Sequence, residues 1–159
     1  MSFQKILVPY DGSRFSDQAL ENAVGIAKMS GSNTQVILSH ITPHIPVPLT
    51  FERPVYSAKT GKSIPLTQYI QELIKEMEEN ASKMMEEVKK KYTNQEINIE
   101  NVLLHGYPSE KIVEFANKEK VDLIVIGSVG LSGLSKVKAL GSVSRSVSEI
   151  AGCPVLIVH

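Results

Sequence analysis

A stretch rich in glycine and serine follows an apolar run late in the chain. Residues 127–144 read Gly-Ser-Val-Gly-Leu-Ser-Gly-Leu-Ser-Lys-Val-Lys-Ala-Leu-Gly-Ser-Val-Ser, directly after the apolar run at 121–126. That run is typical of a buried strand, and Gly141-Ser142 reads as the start of a helix. Unpaired N–H groups and the helix dipole make such a helix start an anion site. The pattern predicts a cradle for the phosphates of a nucleotide.

Asp11 also offers chemistry, because it comes shortly after the first apolar run of the chain, at 5–8. Ligands of open parallel sheets bind beyond the carboxyl ends of strands, where the strand order reverses. If the first and fourth strands are neighbours there, Asp11 faces the glycine loop and offers its carboxylate to ribose hydroxyls. Ser142 and Ser144 would add donors at the helix start. The alternative is structural, since Asp-Gly pairs and lone Gly-x-x-Gly spacings also occur in ordinary turns.

Strands alternating with helices must position these residues. Five short apolar runs, at 5–8, 35–41, 97–105, 121–126 and 154–158, read as strands. Helical patterns lie between them, from about 16–29, along a long amphipathic stripe at 66–92, from 109–117, and from 141 to before 152. This alternation predicts a single-domain α/β fold with an open five-stranded parallel sheet and helices on both faces.

The segment from Thr42 to Pro65 differs from the rest, with five prolines and no periodicity. It is longer than most loops of compact domains, which favours either a lid or partner surface, or a simple tether. Within it, Thr60-Gly61-Lys62-Ser63 imitates the end of a P-loop. Position 56 is tyrosine where that motif needs glycine, and no strand is expected just before it, so we interpret the match as accidental.

Composition narrows the classes of partner and compartment. The 159-residue chain has 17 Lys and Arg against 17 Asp and Glu, which argues against a nucleic-acid binder that relies on a strong positive field. The cluster at 89–91 is expected to complement a helix dipole. No run approaches the roughly 20 apolar residues of a membrane span. With a single cysteine, Cys153, and no signal peptide, a cytoplasmic protein is expected.

Few side chains suggest catalysis. His40 and His105 end predicted strands on the ligand side of the sheet, but no metal cluster accompanies them, so we interpret them as polar strand-end residues. Cys153 lacks a nearby partner and reads as a small buried hydrophobe. No residue presents itself as a general base for attack on a γ-phosphate. The sequence therefore favours binding over turnover, with no catalytic residue and no metal ligand predicted.

Several segments resemble the universal stress protein (UspA-like) family over essentially the whole chain. Residues 5–13, Gly106-Tyr107-Pro108 and residues 152–158 look like that family's first strand and turn, its loop before the third helix, and its ending. The resemblance implies an adenine nucleotide α-hydrolase-like fold with strand order 3-2-1-4-5. It also implies ATP bound between strands one and four, with Mg²⁺ able to accompany it, and homodimers formed through strand five.

The nucleotide-binding members of that family carry Gly-x2-Gly-x9-Gly-(Ser/Thr), and the resemblance carries their contacts onto this chain. Pro9 and Asp11 would contact the nucleotide after strand one, and the backbone of Ile41 would meet adenine. The phosphate and ribose side would be lined by Ile126, Gly127, Gly130, Gly141, Ser142, Val143 and Ser144.

This chain departs from the family pattern in two places. Ten residues, Leu131 to Leu140, separate Gly130 from Gly141 where the family has nine. The extra residue is either absorbed in the loop or moves the helix start by up to about 3.5 Å. Val129 also stands where family members often have a polar or basic side chain.

Three functions remain open from the sequence. The first is an ATP-binding, nucleotide-responsive homodimer of the stress response, with slow hydrolysis at most and unknown protein partners. The second is a dimeric interaction module of the same fold that binds no nucleotide, which the two departures favour. The third, an enzyme of the adenine nucleotide α-hydrolase-like group, lacks a second domain or substrate motif. A homodimer is also expected physically, because an apolar edge strand from Pro154 to Val158 needs a partner.

Overall fold

The computed structural model describes residues 3–31, 33–46, 53–130 and 140–159. These residues form seven strands and four α-helices, with a short 3-10 turn at Thr93–Gln95. In chain order the elements are β1 (Lys5–Pro9), α1 (Arg14–Ser30), β2 (Gln35–Thr42), β3 (Pro54–Ser57), β4 (Lys62–Pro65), α2 (Leu66–Lys90), β5 (Asn98–His105), α3 (Pro108–Glu119), β6 (Leu123–Gly127), α4 (Ser142–Ile150) and β7 (Val155–Val158).

Five of these strands form one parallel sheet in the order β5-β2-β1-β6-β7. Counted along the chain without the β3–β4 hairpin, this is the predicted order 3-2-1-4-5. The order reverses between β1 and β6, because the chain adds β2 and β5 on one side of β1 and β6 and β7 on the other. The carboxyl ends of β1 and β6 therefore meet at the point where open sheets bind ligands.

The two faces of the sheet are covered by different helices, as predicted. Strand residues alternate between faces, so Ile6 and Val8 of β1 pack with α1 and α2, whereas Leu7 packs with α3 and α4. Both layers are apolar, which is why the central strands read as continuous apolar runs rather than alternating ones. The buried sheet is thus a fixed platform for the loops at its carboxyl edge.

The observed boundaries differ from the predicted ones by a few residues for local reasons. Helix α1 begins two residues earlier than predicted because Ser13 is its N-cap, with Oγ accepting from Ser16 N at 3.2 Å. Strand β6 begins two residues later than predicted, at Leu123. Val121 N–H still donates to Ala116 O at the end of α3, and Asp122 Oδ2 accepts from Lys5 N at 2.8 Å.

The segment after β2 contains an antiparallel hairpin that sequence periodicity did not predict. Strands β3 and β4 pair from Pro54↔Pro65 to Ser57↔Lys62 and pack against α2. Gly61, at φ +67°, lies in the connecting turn. The expectation that no strand precedes the P-loop-like tetrapeptide was therefore wrong. Its Lys62 and Ser63 lie within β4 rather than at the start of a helix, and Tyr56 stands where the motif needs glycine, so the P-loop reading remains excluded.

Among the helices of the described residues, none is both long and apolar enough to cross a membrane.

Candidate functional site

A cleft of about 340 Å³ opens beyond the carboxyl ends of β1 and β6. It combines the first turn after β1, the end of β2, the glycine-containing end of β6 and the start of α4. All ten residues predicted to contact a ligand line this cleft. They are Pro9, Asp11, Ile41, Ile126, Gly127, Gly130, Gly141, Ser142, Val143 and Ser144.

The turn after β1 holds the Asp11 carboxylate in a defined place. Asp11 Oδ1 accepts a hydrogen bond from Ser13 N at 3.0 Å, an Asx turn that leads directly into the N-cap of α1. Gly12 between them has φ +81°, a conformation that favours glycine. The Asp11-Gly12 pair therefore forms an ordinary turn, which was the structural alternative for it. The same turn also places the Asp11 carboxylate in the cleft.

Gly127, the last residue of β6, and Gly130, three residues later, allow two different close approaches. A Cβ on Gly130 would lie 2.6 Å from Asp11 Oδ2, so the absence of a side chain keeps this carboxylate in position. A Cβ on Gly127 would lie 2.8 Å from the backbone carbonyl carbon of Phe15, so glycine there lets α1 pack against the end of β6. Gly130 therefore serves the cleft and Gly127 the packing beneath it.

The start of α4 is tied to the end of β6 by two hydrogen bonds to one carbonyl. Ser128 O accepts from Gly141 N at 2.7 Å and from Ser144 Oγ at 2.8 Å. Ser128 N in turn donates to Val158 O of β7 at 2.7 Å. The longer spacing between Gly130 and Gly141 consequently leaves the helix start at the cleft; of the connecting residues, 131–139 lie outside the described part of the chain.

The first turn of α4 presents backbone donors to the cleft. Its first helical hydrogen bond runs from Arg145 N–H to Gly141 O at 3.0 Å, so the N–H groups of Ser142, Val143 and Ser144 precede the helical ladder. These groups sit at the positive end of the helix dipole and suit an anion such as phosphate. The Ser144 hydroxyl was predicted to be a donor as well, but it donates to Ser128 O and so ties α4 to the end of β6.

One wall of the cleft is apolar and suits a flat base. Ile41, which was predicted to meet adenine through its backbone, lies there with Pro108 and Ile112 of α3. Ile126 and Val143, which were predicted for the phosphate and ribose side, also contribute to this wall. Sequence reasoning missed the two α3 residues because their approach depends on how α3 crosses the sheet. The available signal was Pro108 itself, which stands in the first turn of α3, two residues after the turn glycine Gly106.

Several polar residues of the lining were also not predicted as ligand contacts, namely Tyr10, Ser13, Ser16, His40 and Ser128. His40 is half-buried, and its Nδ1 lies 2.8 Å from Tyr10 O. The Tyr10 hydroxyl donates to Asp17 Oδ1. Burial, that hydrogen bond and the negative charge of Asp17 raise the pKa of Tyr10 well above its usual range. Tyr10 is therefore a neutral donor that joins the β1 turn to α1.

The other candidates from the sequence lie elsewhere. His105 Nδ1 contacts Thr42 Oγ1, and its Nε2 lies 3.6 Å from Glu78 Oε1 of α2. Cys153 is half-buried rather than fully buried; it packs against the core on the α3 and α4 face, and burial raises the pKa of its thiol. Within residues 3–31, 33–46, 53–130 and 140–159, no group of three His, Cys, Asp or Glu side chains is arranged to hold a metal ion.

A doubly wound parallel sheet with a helix start and a cleft at its switch point defines a class of open α/β proteins that place their ligand sites at the carboxyl edge of the sheet. The sequence model of the Universal stress protein family matches residues 2–159. The chain belongs to the universal stress protein family.

Individual relatives agree with this assignment. The chain is 35% identical over 157 residues to Universal stress protein YxiE of Bacillus subtilis, covering 99% of each chain. It is 28% identical to the solved structure of protein MJ0577 of Methanocaldococcus jannaschii, with a TM-score of 0.78 over 99% of this chain and 96% of that one. A universal stress protein solved in complex with cAMP is 26% identical, with a TM-score of 0.65 over 100% and 98%.

Proposed function

We propose that this protein binds ATP in the cleft between β1 and β6 and acts as a nucleotide-responsive homodimer in the cytoplasmic stress response. The observation that carries the proposal is the convergence of Asp11, Gly130 and the start of α4 on one cleft. Each of the three parts of a nucleotide has a matching surface there.

The match runs from the base to the phosphates. Adenine would lie against the apolar wall, with Ile41 offering its backbone at the end of β2. The Asp11 carboxylate would accept hydrogen bonds from the ribose hydroxyls. The N–H groups of the first turn of α4 would receive the phosphates, and Mg²⁺ would enter with them. The related protein solved with cAMP supports an adenine nucleotide as the class of ligand.

The proposed activity is binding with slow hydrolysis at most. Asp11 is the single carboxylate in the described lining of the cleft, and its Oδ1 already accepts from Ser13 N. A carboxylate held beside the ribose does not activate a water for attack on the γ-phosphate. Bound ATP would instead order the residues around Gly130 and Gly141, and partner proteins would read that state.

The dimer would form through β7. Among the described residues this strand pairs with β6 alone, and its sequence, Val155–Val158, is entirely apolar. The Leu156 side chain is 38% exposed at this edge. Antiparallel pairing with a second copy across a two-fold axis would satisfy the free backbone groups and cover Leu156.

A nucleotide-free interaction module of the same fold is the second candidate, and one observation favours it. Val129 lines the cleft between Ser128 and Gly130, where a polar or basic side chain would give a phosphate a further partner. The two candidate functions have the same fold and the same proposed dimer, so they differ only in whether the cleft binds a nucleotide.

Thermal unfolding with and without Mg-ATP tests the proposal. Free ligand at 100 times Kd should stabilise the fold by about 2.7 kcal/mol. Asp11→Ala should reduce this shift, whereas Gly25→Ala, a helix position with open space around it, should retain it. No shift at millimolar ATP, with no nucleotide retained after purification, would favour the interaction module.

A further inference from the structure

His40 of β2 holds the peptide that precedes Asp11. Its Nδ1 lies 2.8 Å from Tyr10 O. Because a carbonyl oxygen can only accept, Nδ1 must carry the hydrogen, whether the ring is neutral or protonated. The neighbouring residue Ser39 accepts from Tyr10 N at 2.7 Å. Two consecutive residues of β2 therefore bind the N–H and the carbonyl of Tyr10.

The hydrogen bond from His40 Nδ1 to Tyr10 O lies just beyond the end of the paired residues of β1 and β2. The register of β1 with β2 runs from Lys5↔Gln35 to Pro9↔Ser39, and β1 ends at Pro9. Beyond that point the chain leaves the sheet to enter the turn, so the carbonyl of Tyr10 needs a donor from a side chain. Tyr10 is only 5% exposed, which makes an unpaired carbonyl costly there.

Asp11 follows Tyr10 directly, and its carboxylate lies close to Gly130. Oδ1 accepts from Ser13 N at 3.0 Å, and Oδ2 occupies the space that a Cβ on Gly130 would need. A rotation of the peptide between Tyr10 and Asp11 would therefore move the carboxylate relative to both. The bond from His40 restricts that rotation.

We propose that His40 is a positioning residue for Asp11, and that it sets the affinity of the cleft for the ribose of its ligand through the carbonyl of Tyr10. The effect on affinity rests on the proposed nucleotide binding. The positioning itself does not, because Ser13 N–H reports on Asp11 without any ligand.

A matched pair of substitutions isolates the hydrogen bond. In His40→Asn the amide Nδ2 replaces Nδ1 as the donor, while His40→Leu has nearly the same shape without a donor. Both remove the imidazole ring from the cleft, so any difference between them comes from the bond to Tyr10 O. If the leucine variant does not fold, His40→Gln replaces it, because its amide lies one methylene further out.

The first measurement is amide hydrogen exchange of Ser13 in the ligand-free full chain. We expect His40→Asn to protect Ser13 N–H as the wild type does, and His40→Leu to exchange about tenfold faster. Equal protection of Ser13 in the asparagine and leucine variants would overturn the proposal, whether or not ATP binds.

The second measurement is a double-mutant cycle on ATP affinity. His40→Leu should weaken ATP binding about tenfold, and adding it to Asp11→Ala should cause no further loss, because the two act through one carboxylate. Additive losses would overturn the proposal. A wild type that binds no ATP would overturn the proposed function instead, and the exchange measurement would still decide the role of His40.

Discussion

Gly130 lies against the Asp11 carboxylate so closely that a Cβ on Gly130 would be 2.6 Å from Asp11 Oδ2. The two residues are far apart in the chain, at the ends of β6 and β1, and they meet because these strands are neighbours in the sheet. The missing side chain of one residue thereby sets the position of the carboxylate of the other. This relationship links the glycine spacing of the sequence to the ribose side of the cleft.

Gly130→Ala should weaken ATP binding with little effect on folding. The added methyl group displaces the end of a flexible side chain, Asp11, rather than backbone. We expect ATP affinity to fall about tenfold, as for loss of one charged hydrogen bond, measured by calorimetry. Gly25→Ala is the matched control; it lies inside α1 with open space around it and should leave affinity unchanged. Equal losses in both variants would contradict the role of Gly130.

Gly127→Ala, in contrast to Gly130→Ala, should destabilise the fold. Its Cβ would lie 2.8 Å from the backbone carbonyl carbon of Phe15 and 2.9 Å from the carbonyl oxygen, and backbone at the start of α1 cannot rotate away. We expect the free energy of unfolding to fall by about 1–3 kcal/mol, the usual cost of overpacking a core. Urea unfolding measures this, and a variant as stable as the wild type would show that α1 does not pack so closely on β6.

Leu156→Lys should dissociate the proposed homodimer. A charge on an apolar edge strand opposes pairing with a second copy, and Leu156 is exposed enough to accept lysine without loss of the fold. Sedimentation velocity should show monomers. Met29→Lys is the control, because Met29 is 83% exposed near the end of α1, and it should remain dimeric. A Leu156→Lys dimer of unchanged size would place the interface elsewhere.

Tyr10→Phe should cost stability at neutral pH and less at alkaline pH. The variant loses the hydrogen bond to Asp17, worth about 1 kcal/mol at pH 7. The pKa of Tyr10 is raised in the folded protein, so its contribution is complete below the unfolded pKa of about 10 and declines as the pH rises above it. Tyr92, whose pKa is also raised, is present in both proteins.

Urea unfolding of both proteins at pH 7 and pH 10.5 checks this dependence. The difference in the free energy of unfolding between wild type and Tyr10→Phe should narrow at the higher pH. A difference that widens would mean that the folded protein stabilises the phenolate.

The Cys153 thiol should react slowly in the folded protein. Burial, followed by the charge of Asp122, raises its pKa, which lowers the fraction of thiolate at any given pH. We expect alkylation at pH 8 to be slower in native protein than in protein unfolded by urea, with a rate that still rises above pH 9. Equal rates in the two states would indicate an open, unperturbed thiol.

The main sheet and the helices could be predicted from the sequence, whereas the β3–β4 hairpin could not. The apolar runs and the helical stripes predicted the five strands of the sheet and the four α-helices of the described residues, because buried parallel strands and amphipathic helices carry strong local periodicity. The β3–β4 hairpin was missed because its strands have four residues each, contain proline, and carry little apolar alternation, with Val55 half-buried and Ile64 buried.

The ten predicted site residues line one cleft because family motifs record contacts that lie along the chain at fixed spacings. His40 and Ile112 belong to no such motif, and Pro108 stands in the loop motif Gly106-Tyr107-Pro108 without a predicted ligand contact, so all three were missed. They reach the cleft only through the crossing of α3 over the sheet and the departure of β1 from its ladder with β2.

The sequence by itself determined the alternation of strands and helices, the family, and the residues that stand at strand ends and helix starts. Local periodicity and motif spacing are properties of residues close together in the chain, so they can be recognised in the sequence alone. The effect of the one-residue-longer spacing was decided only by the tertiary structure, in which Ser128 O binds both Gly141 N and Ser144 Oγ. Hydrogen bonds between distant segments decide where a helix begins in space, and the number of residues between those segments does not.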